Sequence, residues 1–345
     1  MEILEGPYLS DVLAQPGAVR ATVEALKGRE AGETVERLLD AAAVERIVLT
    51  GMGASLHALH PLALELIRRG MEARIEETAE LFHHRRRLLA PGTLVVAVSQ
   101  SGESAELVRL ARLRRNGWRM LAVTNFAGST LAARADEALV LAAGPEHSVS
   151  CKTYVATLAA LGWLGAVLGG GRGSRRALRE MEDAAGPMAA YLARWRRHVA
   201  ALAQQLEGVR WLALAGRGAS LAAAFTGGLI TKEAAHFPAE GMSAAAFRHG
   251  PLEMTGPDIA VFVFEGAGKT AELNRRLARE VRSGGGRSML IGPVGRGPGK
   301  LPAVSERALP LLEILPVQMA TLALAALAGR EAGRFERASK VTRTE

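Results

Sequence analysis

One segment of this chain occurs twice, and that internal repeat constrains the fold more than any other feature. The sequence Gly-x-Gly-Ala-Ser-Leu stands at 51–56 and again at 216–221, each time directly after a short apolar run. The same offset of 165 residues pairs the apolar run at 94–101 with that at 259–266. One unit of about 120 residues has therefore been used twice.

Each copy has the alternation of strands and helices that is typical of an α/β fold. The runs at 47–50, 94–98 and 120–123 are short and almost wholly apolar, as in strands buried on both faces of a parallel sheet. Amphipathic stretches of helical length lie between them, at 55–69 and 104–115. The pattern predicts two tandem domains, each a doubly wound, mostly parallel sheet flanked by helices with right-handed crossovers.

Glycine-rich and polar segments suggest where these domains begin and end. The run Gly-Gly-Gly-Arg-Gly-Ser at 169–174 interrupts the α/β pattern and leads into a polar helical stretch. The predicted segments are an N-terminal helical segment at 1–35, a first domain at 36–168, a linker and helix at 169–207, a second domain at 208–330, and a C-terminal tail with Lys340 at 331–345.

Length and composition favour a soluble protein of the cytoplasm. The 345 residues suffice for about two domains, and the single cysteine, Cys151, excludes an internal disulfide framework. The acidic start is unlike a signal peptide. The longest apolar run, 314–327, is shorter than the roughly 18 residues of a membrane span, and Pro316 and Gln318 interrupt it. We therefore expect no membrane partner.

The net charge of +8 raises the question of nucleic-acid binding. The arginines are spread over helix-like segments, and aromatic residues make up only 4% of the chain, so few bases could be stacked. We interpret the charge as a solvated basic surface that also attracts anionic metabolites. No nucleic acid is expected as a partner.

Two polar motifs follow strands of the first copy, where ligands of doubly wound sheets bind. The turn at 51–55 opens a helix, and its glycines let the backbone approach an anion. The loop Ser-Gln-Ser-Gly-Glu-Ser at 99–104 holds three hydroxyls and an amide, enough donors to surround a phosphate. The alternative is a polar turn that caps the next helix. Capping needs one hydroxyl only, so we favour the phosphate interpretation.

Two nucleotide-binding motifs are incomplete. The paired glycines resemble the start of a dinucleotide fingerprint, with Glu76 or Glu77 at a tolerable distance for a ribose, but Leu56 replaces the third glycine. Residues 266–270 resemble the end of a P-loop, but Val263 stands where its first glycine is required. The sequence therefore predicts no cofactor.

The sequence predicts no metal site either. No cysteine or acidic pattern completes a zinc site around the histidines of the first domain, and we expect these to be surface residues: His57, His60, His83 and His84. Cys151 as a nucleophile would need a base such as His147, and a small semi-buried residue is the simpler interpretation.

The second copy differs at the position of the serine-rich loop. In the repeat alignment it reads Phe-Glu-Gly-Ala-Gly-Lys at 264–269, without serines. It carries instead two polar stretches, at 231–240 and 247–252. A carboxylate and an imidazole so near in sequence can serve as base and acid, but a charged helix followed by a capped turn explains the spacing equally well.

Together these motifs resemble the tandem SIS (sugar isomerase) domain family, in particular the isomerase half of glucosamine-6-phosphate synthase and its shorter relatives. The resemblance covers nearly the whole chain, and the motifs keep their order. The matches are the family's Ser-Gln-Ser-Gly-Glu-Thr loop at 99–104, its Gly-Pro-Glu…Lys segment at 144–152, its Lys-Glu and Ala-Glu pairs at 232–233 and 239–240, its His-Gly-Pro at 249–251, and its lysine-containing C-terminus at 339–345.

The resemblance implies roles for individual residues. The substrate phosphate would be bound by Ser55, Ser99, Gln100, Ser101 and Ser104. Other contacts to the substrate would come from Gly53, Ala54 and Lys152. The catalytic residues would be Glu233, moving a proton between C1 and C2, His249, opening the sugar ring from the neighbouring subunit, and Lys340, closing over the open-chain substrate. A homodimer with shared active sites is therefore expected.

Two departures and one expected absence narrow the implied activity. The synthase has a lysine three residues before its base, where this chain has Ile230, and an acidic residue where it has Ala246. We expect no preceding glutaminase domain. The resemblance then implies a phosphosugar isomerase or an amino-sugar-phosphate isomerase/deaminase acting at C1/C2 of a hexose 6-phosphate. The alternatives are a non-catalytic sugar-phosphate sensor and synthase-like aminotransfer that uses external ammonia.

Overall fold

The computed structural model describes residues 3–40, 44–113, 117–337 and 339–342 of the chain. Within these residues the backbone forms two wholly parallel sheets, of five and four strands. The strands are β1 (Arg46–Gly51), β2 (Glu72–Glu77), β3 (Thr93–Val98), β4 (Arg119–Thr124), β5 (Glu137–Val140), β6 (Trp211–Gly216), β7 (Ala239–Ser243), β8 (Ile259–Phe264) and β9 (Arg287–Ile291).

Helices connect the strands and cover the sheets. They are α1 (Pro7–Leu13), α2 (Gln15–Lys27), α3 (Arg29–Asp40), α4 (Gly53–His57), α5 (His60–Arg68), α6 (Thr78–His83), α7 (Ala105–Arg112), α8 (Thr130–Arg134), α9 (Lys152–Leu168), α10 (Ser174–Leu192), α11 (Trp195–Leu206), α12 (Leu221–Ala235), α13 (Ala244–Arg248), α14 (Ala271–Ser283) and α15 (Leu309–Leu327). The predicted α/β class with doubly wound sheets is confirmed.

Strand order places the ligand-binding edge of each sheet. The orders are β2-β1-β3-β4-β5 and β7-β6-β8-β9, so the chain enters each sheet near its middle and winds in both directions. The direction in which strands are added to the sheet reverses between β1 and β3 in the first sheet and between β6 and β8 in the second. Ligands of such sheets bind beyond the carboxyl ends of the two strands at this switch point.

The central strands are those that the sequence predicts, and the edge strands β2, β5 and β7 are not. Every residue of β3 is buried, as its apolar, β-branched sequence requires. β2 has the sequence Glu-Ala-Arg-Ile-Glu-Glu and is largely exposed at the sheet edge, so it carries no apolar run. β5 and β7 are likewise short edge strands, and they too escaped prediction.

Two helix predictions need correction. The stretch at 55–69 forms two helices, α4 and α5, because Pro61 lies in the first turn of α5 and suits only a helix start there. The stretch at 104–115 forms α7, which ends at Arg112; residues 114–116 lie outside the described part of the chain.

The sheet registers correct the repeat alignment by one residue. β1 and β6 correspond at the offset of 165 residues, but Arg46 stands beside Thr93 whereas Trp211 stands beside Ile259. The offset from β3 to β8 is therefore 166, because the second copy has one more residue between its first two central strands.

This shift redefines the second copy of the serine-rich loop. The segment that matches 99–104 is 265–270 rather than 264–269. It ends on Thr270, so the second copy keeps one hydroxyl, at the position of Ser104.

Contacts within the chain group it into two compact units, which we name by their sheets. The first-sheet unit consists of Gly17–Glu146, Lys152–Glu182 and Arg337–Glu345, and the second-sheet unit of Met1–Pro16, His147–Cys151 and Asp183–Glu336. The predicted tail, 331–345, is divided between the two units at residue 337, and the predicted N-terminal segment, 1–35, at residue 17. The predicted domain bounds remain a prediction.

Helix α15 is an apolar core helix of the second-sheet unit. It is long and apolar enough to span a membrane by length and composition, and its residues from Leu309 to Ala325 are buried within the protein. The prediction that Pro316 and Gln318 shorten this run was wrong, because the helix begins at Leu309 and continues through Pro316 to Leu327.

Candidate functional site

The serine-rich loop, residues 99–104, leaves β3 at the switch point of the first sheet. The Ser99 backbone N–H donates to the Val123 carbonyl oxygen at 3.0 Å, which extends the sheet by one residue. The buried Ser99 hydroxyl accepts from the Gly102 N–H at 3.0 Å and lies 3.2 Å from the Ser104 hydroxyl. The loop thus curls so that its first and last hydroxyls meet.

Ser104 decides between the two interpretations of this loop. It is the N-cap residue of α7 by position, but its side chain makes no capping hydrogen bond. Its hydroxyl instead faces that of Ser99. Capping therefore does not explain the hydroxyls of this loop, and they remain suited to bind a phosphate beside a helix N-terminus.

Gly102 lets the loop pack tightly against the turn after β4. Its φ of 65° lies in the left-handed region, and an added Cβ would lie 2.2 Å from the Ser129 hydroxyl oxygen. The Gly102 carbonyl oxygen also accepts from the Leu131 N–H at 3.0 Å. Only glycine allows both the left-handed backbone and the close packing against Ser129 at this position.

Glu103 holds the loop to the same turn, a role that sequence reasoning missed. Its carboxylate accepts from the Thr130 backbone N–H at 2.6 Å and from the Thr130 hydroxyl at 2.9 Å, at the first residue of α8. The sequence did contain a signal for this role, because a negative charge inside a predicted anion-binding loop is unfavourable unless the carboxylate has a structural partner.

The Gly53–Ser55 turn emerges next to this loop. Gly51 at the end of β1 is paired with Val98 at the end of β3, so both turns leave the same edge of the sheet. Gly53 has a φ of 50° and is the first residue of α4, which also contains Ala54 and the half-buried Ser55. The structure thus brings all the predicted phosphate-binding segments to one edge of the first sheet.

The C-terminal tail lies against the same unit. The Lys340 ammonium donates to the Glu146 carboxylate at 2.8 Å, and this carboxylate is fully buried. Glu146 also accepts from the Thr153 N–H at 3.0 Å and from its hydroxyl at 2.7 Å, at the start of α9 beside the buried Lys152. The predicted Lys340 and the predicted 144–152 segment are therefore joined by an ion pair.

A second tail contact reaches the serine-rich loop. The Ala105 N–H, in the first turn of α7, donates to the Thr342 carbonyl oxygen at 3.1 Å. An open cavity of about 700 Å³ lies here, with a size typical of small-molecule pockets. Its lining includes Ser101, Glu103, Asn125, Phe126 and Val341.

The predicted base and acid lie in the second-sheet unit. Glu233 is half-buried near the end of α12, and His249 is exposed directly after α13. Lys232 is exposed and its ammonium lies 3.5 Å from the Glu240 carboxylate. Ile230, which replaces the family's lysine, is wholly buried in the same helix.

The structure corrects the expected exposure of three further residues. His57 and His60 are half-buried rather than surface residues, and burial lowers the pKa of His60 to about 4. Cys151 is wholly rather than partly buried. His83 and His84 are exposed, as expected.

Comparison with known proteins gives the same assignment as the motifs. The SIS domain family model matches residues 42–166 and 205–296. The glutamine–fructose-6-phosphate aminotransferase [isomerizing] of Pyrococcus horikoshii is 30% identical over 98% of this chain and 57% of its own length, and that of Thermus thermophilus is 29% identical over 94% and 56%. The chain thus spans a little over half the length of the curated relatives it matches.

Solved structures share the fold. The C-terminal domain of glucosamine-fructose-6-phosphate aminotransferase from Francisella tularensis superimposes with a TM-score of 0.81 at 20% identity, over 96% of this chain and 98% of that one. Glucosamine-6-phosphate deaminase from Thermotoga maritima gives a TM-score of 0.75 at 16% identity, over 94% and 96%. Family match, motif order and doubly wound sheets agree, and the chain belongs to the SIS domain family.

Proposed function

We propose that this protein is a phosphosugar isomerase or an amino-sugar-phosphate isomerase/deaminase that acts at C1/C2 of a hexose 6-phosphate or its amine derivative. The observation that carries the proposal is the serine-rich loop, whose hydroxyls gather beside the start of α7 without capping it. The matched relatives include proteins named for aminotransfer, isomerisation and deamination of sugar phosphates.

Phosphate binding is the first step of the proposed reaction. The hydroxyls at 99, 101 and 104, the amide of Gln100 and the hydroxyl of Ser55 would donate to the phosphate oxygens. Neutral donors suit this task because they bind the anion without forming a fixed ion pair that would slow its release. Glu103 would act indirectly, by holding the loop against α8.

Proton transfer is the second step, and Glu233 is its proposed base. A positioned carboxylate can remove a proton from a sugar carbon, and Glu233 is half-buried near the end of α12. His249 would assist ring opening from its exposed position directly after α13.

Lys340 is proposed to cover the open-chain sugar from the tail. Its ammonium pairs with the buried Glu146, whose charge is further stabilised by Thr153 at the start of α9. This ion pair keeps the tail close to the serine-rich loop, so that closure over the substrate needs only a short movement. We further propose a homodimer with shared active sites, which a molecular mass from light scattering tests.

Proton exchange measured by NMR tests the proposed function. Hexose 6-phosphates and amino-hexose 6-phosphates are incubated in D₂O with the wild-type protein and with Glu233→Gln. We expect deuterium to enter C1 or C2, or ammonia to be released, with the wild type only. Addition of ammonium chloride to ketose phosphates tests synthase-like aminotransfer in the same samples.

A sugar-phosphate sensor is the second candidate, favoured by the buried Ile230 at the position of the family's lysine. A sensor would bind the sugar phosphates and raise the melting temperature without exchanging any proton. That result would move the assignment from enzyme to binding protein, whereas failure to bind any phosphosugar would contradict both.

A further inference from the structure

The second-sheet unit contains its own copy of the serine-rich loop, residues 265–270, which we call the second loop. Gly268 has a φ of 64° where Gly102 has 65°, and Thr270 is the N-cap residue of α14 as Ser104 is of α7. The sheet register places Glu265 at the position of Ser99. The two loops thus occupy equivalent positions, but they differ in their side chains and at their ends, where Ser104 is extended and Thr270 closes a short 3-10 helix.

A carboxyl group of the chain itself lies against the second loop. Ser220, which corresponds to Ser55 in the repeat, donates its hydroxyl to Glu313 Oε1 at 2.8 Å. The Gly266 backbone also lies close enough to the Glu313 carboxyl group to lower its pKa. Glu313 comes from the middle of α15, and its side chain is completely buried. A serine hydroxyl therefore binds a carboxyl oxygen beside the loop backbone here, as donors of the first loop would bind a phosphate oxygen.

A second acidic group makes the second loop unsuitable for a phosphate. The Glu265 carboxylate, 2% exposed, accepts from Arg275 Nε at 2.8 Å and from the Val294 N–H at 3.0 Å. Arg275, the cation that contacts Glu265, is thus already paired with a carboxylate, and Lys269 of the loop is exposed. A dianion at the same place would be repelled by Glu265 and would overlap Glu313.

The hydrogen-bonding capacity of the Glu313 carboxyl group is only partly used, unlike that of a carboxyl group with a purely structural role. Its Oε2 atom is buried and has no hydrogen-bond partner among the described residues. Buried polar atoms in native structures nearly always have partners, so an exception requires an explanation. The explanation is that the Glu313 carboxyl group occupies a site shaped for a larger group that several donors would bind.

We propose that Glu313 is an internal ligand of the second loop and that its carboxyl group occupies the place that a substrate oxyanion takes in the first loop. The protein then has one phosphate site in each chain and one site that it fills itself. When the Glu313 side chain is removed, the vacated site accepts a small carboxylic acid such as acetic acid. The comparison of the two loops rests on the proposed function of the first.

Chemical rescue of Glu313→Ala tests this proposal. Melting temperatures are measured at pH 5.5 in sodium acetate and in sodium chloride of equal ionic strength. We expect acetate to raise the melting temperature of Glu313→Ala by about 3 °C or more over chloride, and to leave the wild type unchanged. The double variant Ser220→Ala/Glu313→Ala lacks the hydroxyl donor and should lose this response. Equal responses of the two variants, or no response in either, would overturn the proposal.

A second pair of variants covers the case that Glu313→Ala does not fold. Glu313→Gln keeps a carbonyl oxygen for Ser220 and Gly266, whereas Glu313→Leu fills the same volume without an acceptor. We expect Glu313→Leu to melt at a lower temperature than Glu313→Gln, although leucine is the more apolar residue. Equal or higher stability of Glu313→Leu would contradict an internal ligand.

The measurements on the Glu313 variants use no sugar phosphate, so they succeed or fail independently of the proposed enzyme activity. Ser101→Ala, in the first loop, serves as the matched control. It should weaken the melting-temperature shift produced by sugar phosphates and should show no response to acetate.

Discussion

The two loops of this protein follow equivalent strands and have opposite chemistry. The first loop presents Ser99, Ser101 and Ser104 at a sheet edge, next to an open cavity. The second loop has Glu265 at the first of these positions and is covered by Glu313. The comparison teaches that duplication preserves a geometry suited to anions, while side chains from outside the loop decide whether that geometry remains available to a ligand.

The largest expected effect separates chemistry from binding. Glu233→Gln removes the proposed base, and general-base catalysis typically contributes 10²–10⁴-fold, so we expect proton exchange to fall by about 10³-fold. The melting-temperature shift produced by sugar phosphates should persist, because the first loop is unchanged. Exchange measured by NMR and thermal shift on the same samples check both statements.

Glu253→Gln is the control for Glu233→Gln, since Glu253 is an exposed glutamate of the same unit. It should exchange at the wild-type rate. Equal losses in both variants would mean that Glu233 has no special role.

The next effect concerns the internal ligand and pH. Burial raises the pKa of Glu313 to about 8 from an ordinary value of 4.5, and the charge of Glu265 acts in the same direction. Ser220 and the Gly266 backbone oppose this rise. Between these values the unfolded chain loses a proton that the folded protein keeps. The free energy of unfolding therefore falls as pH rises, by at most about 1.4 kcal/mol per pH unit, and levels off above pH 8.

Glu313→Gln removes this titration. Urea unfolding of the wild type and of Glu313→Gln at pH 5.5, 6.5 and 7.5 should show a stability difference that shifts in favour of the glutamine variant as pH rises. Arg275 pairs with Glu265 in both proteins, so it does not alter the difference. Parallel curves would show that the Glu313 carboxyl does not titrate in this range.

A matched pair of glycines sharpens the comparison of the loops themselves. Gly102 and Gly268 have nearly the same φ, but an added Cβ lies 2.2 Å from the Ser129 hydroxyl at Gly102 and meets nothing within 4 Å at Gly268. Gly268→Ala should cost about 1 kcal/mol for the left-handed backbone alone. Gly102→Ala should cost a further ~2 kcal/mol for overpacking and should weaken phosphosugar binding. Urea unfolding and thermal shift measure these effects, and equal costs would contradict the packing argument.

The smallest effect tests the two N-cap hydroxyls. Neither Ser104 nor Thr270 makes a capping hydrogen bond, so alanine at either position should change the free energy of unfolding by less than about 0.5 kcal/mol. Only Ser104→Ala should weaken phosphosugar binding, by about tenfold, because a hydrogen bond to a charged group is worth about 1.5 kcal/mol. Calorimetric titration of both variants checks this, and equal affinities would remove Ser104 from the phosphate site.

Prediction from the sequence worked where the signal is local. The central strands β1, β3, β4, β6 and β8 are continuous apolar runs, and the glycine turns after them are legible without any tertiary information. Prediction failed at the edges, where β2 is charged and largely exposed, and at Pro61, which divides a helix that periodicity alone would continue.

The candidate site was predictable in part. The hydroxyls of the first loop and the ion-pairing Lys340 were identified from motifs, and the structure gathers them in one unit. The role of Glu103 was missed because its partner, Thr130, lies 27 residues away. The roles of Glu233 and His249 remain predictions that the exchange experiment tests.

By itself the sequence determined that this chain is a duplicated α/β protein with one serine-rich and one serine-poor loop, because repetition, apolar periodicity and glycine turns are properties of neighbouring residues. Only the tertiary structure decided which loop remains open. Ser220 and Glu313 are 93 residues apart, and their hydrogen bond follows from the packing of α15 beneath the second loop. Burial and hydrogen-bond partners depend on which segments, distant in sequence, pack together, and no local sequence pattern specifies this packing.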